Sequence, residues 1–191
     1  MNSPFALLFL ALQQRIGSII DPDTSDPLFA FIDQDYGQLE HTISGLPSVS
    51  FPCALIDIES ADFDNTAENI QTATLKISIR VGFAPYSSTS GLTPEEWKLR
   101  ALAFYEQEQA LHMALQGWSP GEVTITADPL TTADLSDTFG HFIRVHTHSE
   151  RRVDTLRMRR LTYTLSMQDH TTQPIVTLAG ASPDIEDVIE I

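Results

Sequence analysis

The sequence predicts an α+β fold: a mixed, mostly antiparallel β-sheet with long hairpins, packed against an N-terminal helix and one long central helix. Three observations predict it. From Ile70 to Phe83 the residues alternate, with Leu75, Ile77, Ile79, Val81 and Phe83 on one parity and Thr74, Lys76, Ser78 and Arg80 on the other. A half-buried strand requires that pattern, because successive side chains point to opposite faces. The second observation is Thr93-Pro94-Glu95-Glu96, which opens a long helical pattern closed by Gly117. The third is a pair of alternating stretches, Phe139–Ser149 and Leu161–Gln168, joined by a short basic segment.

Taken in order, Ser3 and Pro4 form a helix start, and Phe5, Leu8, Phe9, Leu12 and Ile16 recur at helical spacing to about Ser18. This apolar start has no basic leader segment and no small-residue cleavage site, and it is too short to span a bilayer, so it reads as a buried helix. DPDTSDP (Asp21–Pro27) is a loop by composition, and Leu28–Asp33 reads as a short strand. His41–Ser48 reads as a loop. Phe51–Ile58 reads as a strand with Pro52 at its start, and Glu59–Asn69 as a polar connection without the spacing or glycine of a calcium loop.

Next comes the strand 70–83. Its alternating part, at ~3.3 Å per residue, spans roughly 33 Å, longer than most strands. Pro85–Gly91 reads as a link. Thr93 then takes the N-cap position with Glu96 completing a capping box, and two acids suit the positive end of the helix dipole. The helix continues through Trp97, Ala101, Phe104, Leu111 and Leu115 to Gly117 at C′. Glu122–Ala127 reads as a short strand followed by a loop through Asp137. In the late hairpin Ile143, Val145 and Thr147 alternate, as do Leu161, Tyr163, Leu165 and Met167, and a change of parity between Met158 and Leu161 predicts a bulge. A short strand is expected at Ile175–Leu178. Residues 1–170 form one expected domain, and 171–191 an acidic C-terminal arm.

The charge is −15, from 26 acids against 11 bases. That opposes simple nucleic-acid binding, which neutralises phosphates with Lys and Arg. The bases are clustered, however: Arg144, Arg151, Arg152, Arg157, Arg159 and Arg160 fall within one stretch with only two acids, a net of +4 that leaves −19 elsewhere. The single cysteine, Cys53, excludes an intramolecular disulfide and sits in an apolar strand, as a small buried hydrophobe does.

His146 and His148 share a strand face, with Glu150 beyond them, a spacing that could present metal ligands; two histidines among arginines are more often polar surface. No nucleophile elbow, phosphate-binding glycine loop, His-Glu-x-x-His or dinucleotide fingerprint occurs. No catalytic, cofactor or metal residues are therefore expected. The arginine segment reads either as a solvated hairpin end or as a docking element for an acidic surface, and the chain supplies such a surface itself. A basic patch and an acidic body suit a head-to-tail contact, which closes into a ring when the rotation permits.

The order of elements resembles that of tail-terminator and head–tail connector proteins of tailed bacteriophages. The resemblance is carried by PCALIDI, QTATLKISIRVGF, LRALAFYEQEQALHMALQGW and HFIRVHTHSERRVDTLRMRRLTYTLSMQD, over roughly residues 1–170. It implies a non-enzymatic structural subunit that assembles as a homo-oligomeric ring, usually a hexamer, at the head-proximal end of a tail tube. Its partners would be the tail tube protein and a head-completion protein. DNA would pass the lumen without specific binding, and no membrane or cofactor is implied. Arg151, Arg152, Arg157, Arg159, Arg160, Lys76 and Arg80 are the expected interface residues. The alternative readings are a cytoplasmic adaptor using the arginine hairpin and an enzyme with a dispersed site at His146 and His148.

Overall fold

A computed structural model describes residues 3–40, 49–67, 70–84, 88–125, 131–150 and 156–169. Helix α1 (Pro4–Gly17) leads to strands β1 (Phe31–Gln34), β2 (Cys53–Ala67) and β3 (Ile70–Phe83). Helix α2 (Glu95–Leu115) follows, then β4 (Glu122–Ile125), β5 (Thr131–Asp134), β6 (Ile143–Glu150) and β7 (Arg157–Asp169). Five strands form one sheet in the order β1-β2-β3-β7-β6, and β4 and β5 pair separately. Only β1 runs parallel to its neighbour; β2, β3, β7 and β6 are antiparallel in turn. The sheet is therefore mixed and mostly antiparallel, as the sequence predicts.

The long alternating strand lies at the centre of that sheet. It pairs with β2 from Cys53↔Gly82 and with β7 from Phe83↔Arg157 through Gln71↔Asp169. Leu75, Ile77, Ile79 and Val81 are fully buried in one cluster with Leu8, Leu12 and Ile16 of α1 and Phe104, Leu111 and Leu115 of α2. Each such side chain contributes roughly 1.5–3 kcal/mol by leaving water, which decides which face the helices cover. In α2 the buried positions Ala101, Phe104, Glu108, Leu111 and Leu115 recur at three and four residues, the stripe a core-facing helix needs.

Helix ends follow local rules in part: Ser3 is the N-cap of α1 with Pro4 at the first helical position, but its side chain makes no cap bond. Gly117 has φ +74° at C′ of α2 and donates its N–H to the carbonyl of Phe142 at 2.9 Å. That left-handed conformation is why the helix stops at a glycine. The capping box at Thr93 does not form: Pro94 is the N-cap, in an extended conformation, with no side-chain cap bond, and its carbonyl takes the N–H groups of Trp97 and Lys98. Thr93 lies one residue too far out to reach them.

Several expected strands move. β1 begins at Phe31; ahead of it Leu28 donates its N–H to the Ile19 carbonyl and not to β2. β2 does not end near Ile58; pairing with β3 carries it to Ala67 through a stretch exposed on both faces. Backbone pairing, indifferent to side-chain polarity, extends the strand there. β5 falls within the expected loop. The bulge lies on β6, between Arg144 and His146, and the β3–β7 register is unbroken past Met158. With β6 at the edge, Ile143 and Val145 are both 54% exposed, and the neighbouring Phe142 is the residue that enters the core. The expected strand at Ile175–Leu178 and the acidic arm lie outside the described residues.

The consequence for function concerns the shape of the β2–β3 hairpin. Its inner half belongs to the sheet, and its outer half, from Asp62 to Ala67 on β2, is exposed. That half stays within the sheet, because β7 pairs with β3 out to Gln71↔Asp169; the start of β7 and the N-terminal half of α2 lie toward the other end.

Candidate functional site

The second face of the sheet was expected to be open and polar, with Lys76 and Arg80 offered to a partner. Only its outer half is. Thr74 and Lys76 are exposed, but Ser78 and Arg80 are buried. The reason lies in the segment after β1, which brings Asp35, Gln38 and Glu40 against this face; Asp35 donates its N–H to the Ile56 carbonyl, and Gln38 is buried.

Arg80 is only 4% exposed and is held by three carboxylates. Its Nε donates to Glu150 Oε1 at 3.0 Å, and Nη2 to Glu150 Oε2 at 2.7 Å. Its Nη1 donates to Asp35 Oδ2 at 3.0 Å, and Nη2 also meets Glu40. The planar guanidinium suits this arrangement, since its donors leave in a fixed fork. Burial opposes the charge, but the bonds to Glu40, Glu150 and Asp35 outweigh it, so Arg80 stays a cation more firmly than usual. It is therefore a buried structural cation and not an available docking residue.

The network extends along the sheet. Glu150 also accepts from Arg160 Nε at 3.0 Å, Arg160 reaches Glu59 at 3.2 Å, and Lys76 meets Glu59 at 2.7 Å. For both glutamates burial raises the pKa, but the cationic partners prevail and the net shift is downward, from Arg80 and Arg160 at Glu150 and from Lys76 at Glu59. Asp57 shifts the other way, through burial and the neighbouring Asp35 and Glu59. A depressed carboxylate contributes stability that is present above its unfolded pKa, about 4.3 for glutamate, and is lost as pH falls through the folded value. We expect urea midpoints to fall as pH drops below roughly 4.5, and Glu150→Gln to be weaker at neutral pH with a flatter acid limb. Parallel profiles for the two proteins would contradict this account.

On the helical face Arg159 donates Nε and Nη2 to Glu108 at 2.7 and 3.0 Å, a fork that ties β7 to α2, and its Nη1 donates to Ser149. The bond to Glu108 strengthens the arginine's hold on its proton. Thus Arg159 and Arg160 are engaged within the chain. Arg157 is exposed and lies over the Phe104 ring at 4.5 Å; Arg151 and Arg152 lie outside the described residues.

Arg157 leads to a site that the sequence did not suggest. An open apolar groove of about 470 Å3 is lined by Phe51, Pro52, Phe83, Trp97, Ala101 and Phe104. Arg100 lies over the Trp97 ring at 5.1 Å on its rim, as Arg157 lies over Phe104. Among the described residues neither arginine has a carboxylate partner. The Phe51-Pro52 bond, just before β2, is cis. The one signal for the groove was Trp97, on the buried line of the helix yet near its exposed start.

The remaining candidates have ordinary surroundings. His146 and His148 are exposed with ring centroids 5.1 Å apart, and no group of three metal-capable side chains exists among the described residues. Burial pushes the Cys53 thiol up to about 11, against the helpful but smaller effect of the Gly82 backbone, so it is a poor nucleophile. Among the described residues no helix is long and apolar enough to cross a membrane.

No family model and no curated protein matches this sequence. Among solved structures, a chain from the virion of a native gene transfer agent particle aligns with it at a TM-score of 0.46 and 14% identity, over 88% of this chain and 100% of that one.

Proposed function

We propose that this chain is a non-enzymatic structural subunit that closes a homo-oligomeric ring, of hexameric order, at the head-proximal end of a phage-like tail tube. There it would end tube polymerisation and present a surface to a head-completion protein, with DNA passing through an acidic lumen unbound. The observation that carries this reading is the opposite charge at the two ends of the central sheet. The outer half of β2 carries exposed Asp62 and Asp64, whereas the far end of β3 adjoins Arg100 and Arg157. Asp62 pairs in register with Thr74, so the two ends lie roughly 30 Å apart along β3, too far to meet within one chain. Such a subunit is complementary to its own copy, head to tail, and a head-to-tail contact either closes a ring or grows a filament.

The element order, which resembles that of tail terminators, supports the same reading. The adaptor reading loses two of its cations, because Arg159 and Arg160 are already satisfied by Glu108, Glu59 and Glu150. The decisive measurement is native mass spectrometry of the purified chain, alone and with the tail tube protein encoded beside it. A closed oligomer is expected in at least the second sample; monomer in both overturns the proposal.

A further inference from the structure

Strand β2 keeps an uncovered edge. β1 lies beside it only from Cys53 to Ile56, and the last backbone bond on that side runs from the Asp35 N–H to the Ile56 carbonyl at 2.9 Å. From Asp57 to Ala67, among the described residues, only β3 bonds to the β2 backbone. An edge of that length carries a row of free N–H and C=O groups and is a template for another strand, which is why natural sheets cover such edges. The edge also borders an apolar groove. Just past the end of β1, an open groove of about 650 Å3 runs between the half-buried flank of α1, at Phe5, Ala6, Phe9 and Leu10, and Ile58 and Ala61 of β2. Ile58, Ala61 and Phe63 pair in register with Ile77, Leu75 and Ala73 of the core, so all three lie on the face that the helices cover. Phe63, 44% exposed, continues that apolar line beyond the groove. A free edge beside a row of apolar side chains is how a sheet takes up an added strand: the backbone supplies hydrogen bonds and the pocket takes alternate side chains.

The chain's own C-terminal segment fits this edge in reach, direction and charge. Asp169, Gln71 and Asn65 lie side by side on β7, β3 and β2. A new strand beside β2 is therefore three strand spacings from Asp169, about 14 Å, and the link 170–173 covers about 17 Å. From there residues 174–179 run back for about 20 Å, antiparallel to β2, from the level of Asn65 to the groove. Pro174 suits the first position of a strand, and Ile175, Val176 and Thr177 favour one. No charged residue occurs from Thr171 to Pro183, whereas Asp184, Glu186, Asp187 and Glu190 follow. Asp57, Glu59, Asp62 and Asp64 make the β2 edge acidic, and like charges on adjoining strands repel, so the uncharged part of the segment is the part that this edge admits.

We infer that residues 174–179 add to the free edge of β2 as an antiparallel strand of the same chain, continuing the line of β1 and filling the groove beside α1 with alternate side chains. The inference stands apart from the ring reading. Its test is hydrogen exchange of the full chain followed by mass spectrometry. The 174–179 amides are expected to exchange at least tenfold more slowly than free peptide, equally at about 1 μM and about 100 μM protein. Val176→Pro together with Thr177→Pro removes two consecutive N–H groups, one of which points at β2. That variant is expected to speed exchange at least tenfold both in 174–179 and in the peptide covering 57–63, with the β3 amides unchanged. Ala61→Arg, which fills the groove from the β2 side, is expected to release 174–179 as well, with circular dichroism and a thermal melt checking that it is folded. The proline pair lies outside the described fold and keeps the test decisive whatever Ala61→Arg does to stability. Free exchange of 174–179 in wild type overturns the inference, as does a 57–63 peptide that the proline pair leaves unchanged. Protection that is lost on dilution assigns the strand to a second copy and overturns its assignment to the same chain.

Discussion

Arg80→Ala is expected to lower the unfolding free energy by about 3–5 kcal/mol, because it leaves the largely buried Asp35 without its cation and Glu150 with Arg160 alone. Asp35 is 10% exposed and Glu150 18%, so neither recovers much solvation when the guanidinium is gone. Glu40, at 39%, can turn to water. The chemical denaturation midpoint is the measurement, with the m-value checked so that a change of denatured state is not mistaken for lost stability. Lysine should rescue only part of the loss, since a single ammonium cannot serve Glu150 through a fork and Asp35 at the same time. A full rescue by lysine would mean that charge alone, without geometry, holds the site. Double substitution with Glu150→Gln should cost less than the sum of the two single changes, because they remove members of one network.

The second large effect is expected at Phe142, where alanine should cost about 3–5 kcal/mol. This ring is fully buried, 5.3 Å from Trp118 and 5.9 Å from Tyr163 between centroids. Its backbone matters as well. The Phe142 N–H donates to the Trp118 carbonyl, and its own carbonyl accepts from Gly117, so the end of α2 and the approach to β6 are fastened at one residue. Removing the ring leaves a cavity at that junction that the backbone bonds prevent from collapsing. Ile143→Ala, one position along and 54% exposed, should change stability by no more than about 0.5 kcal/mol. Comparable losses at both positions would show that the edge of the sheet is packed otherwise.

The contrast between Phe142 and Ile143 shows why some of this fold was legible in sequence and some was not. β3 was legible because one face is buried along most of its length, so burial imprinted alternation on the residues. α2 was legible from its terminal glycine and the apolar positions 101, 104, 111 and 115; Glu108, buried on the same line by its pairing with Arg159, was not. β6 was misread in phase because an edge strand with a bulge has no continuous buried face to impose a period. The outer half of β2 was missed because only backbone pairing holds it, and backbone pairing leaves no hydrophobic signature.

The sites follow the same logic. Arg80 could be placed on a parity but not assigned a burial, because Asp35, Glu40 and Glu150 reach it only through the tertiary fold. Of the arginines singled out from the charge cluster, Arg159 and Arg160 serve the chain's own cohesion, and Arg157 lies over the Phe104 ring. Arg100, its counterpart on the rim, gave no signal beyond being one arginine on a helix.

The β2–β3 register shifts between Ile58 and Ser60, so Glu59 is an extra residue in β2. A bulge left to itself would let an edge strand twist away from its neighbours. Here Lys76 from β3 and Arg160 from β7 both grip the Glu59 carboxylate. The extra residue is thereby tied to the two strands beside it, and the exposed outer half of β2 keeps its course along the sheet.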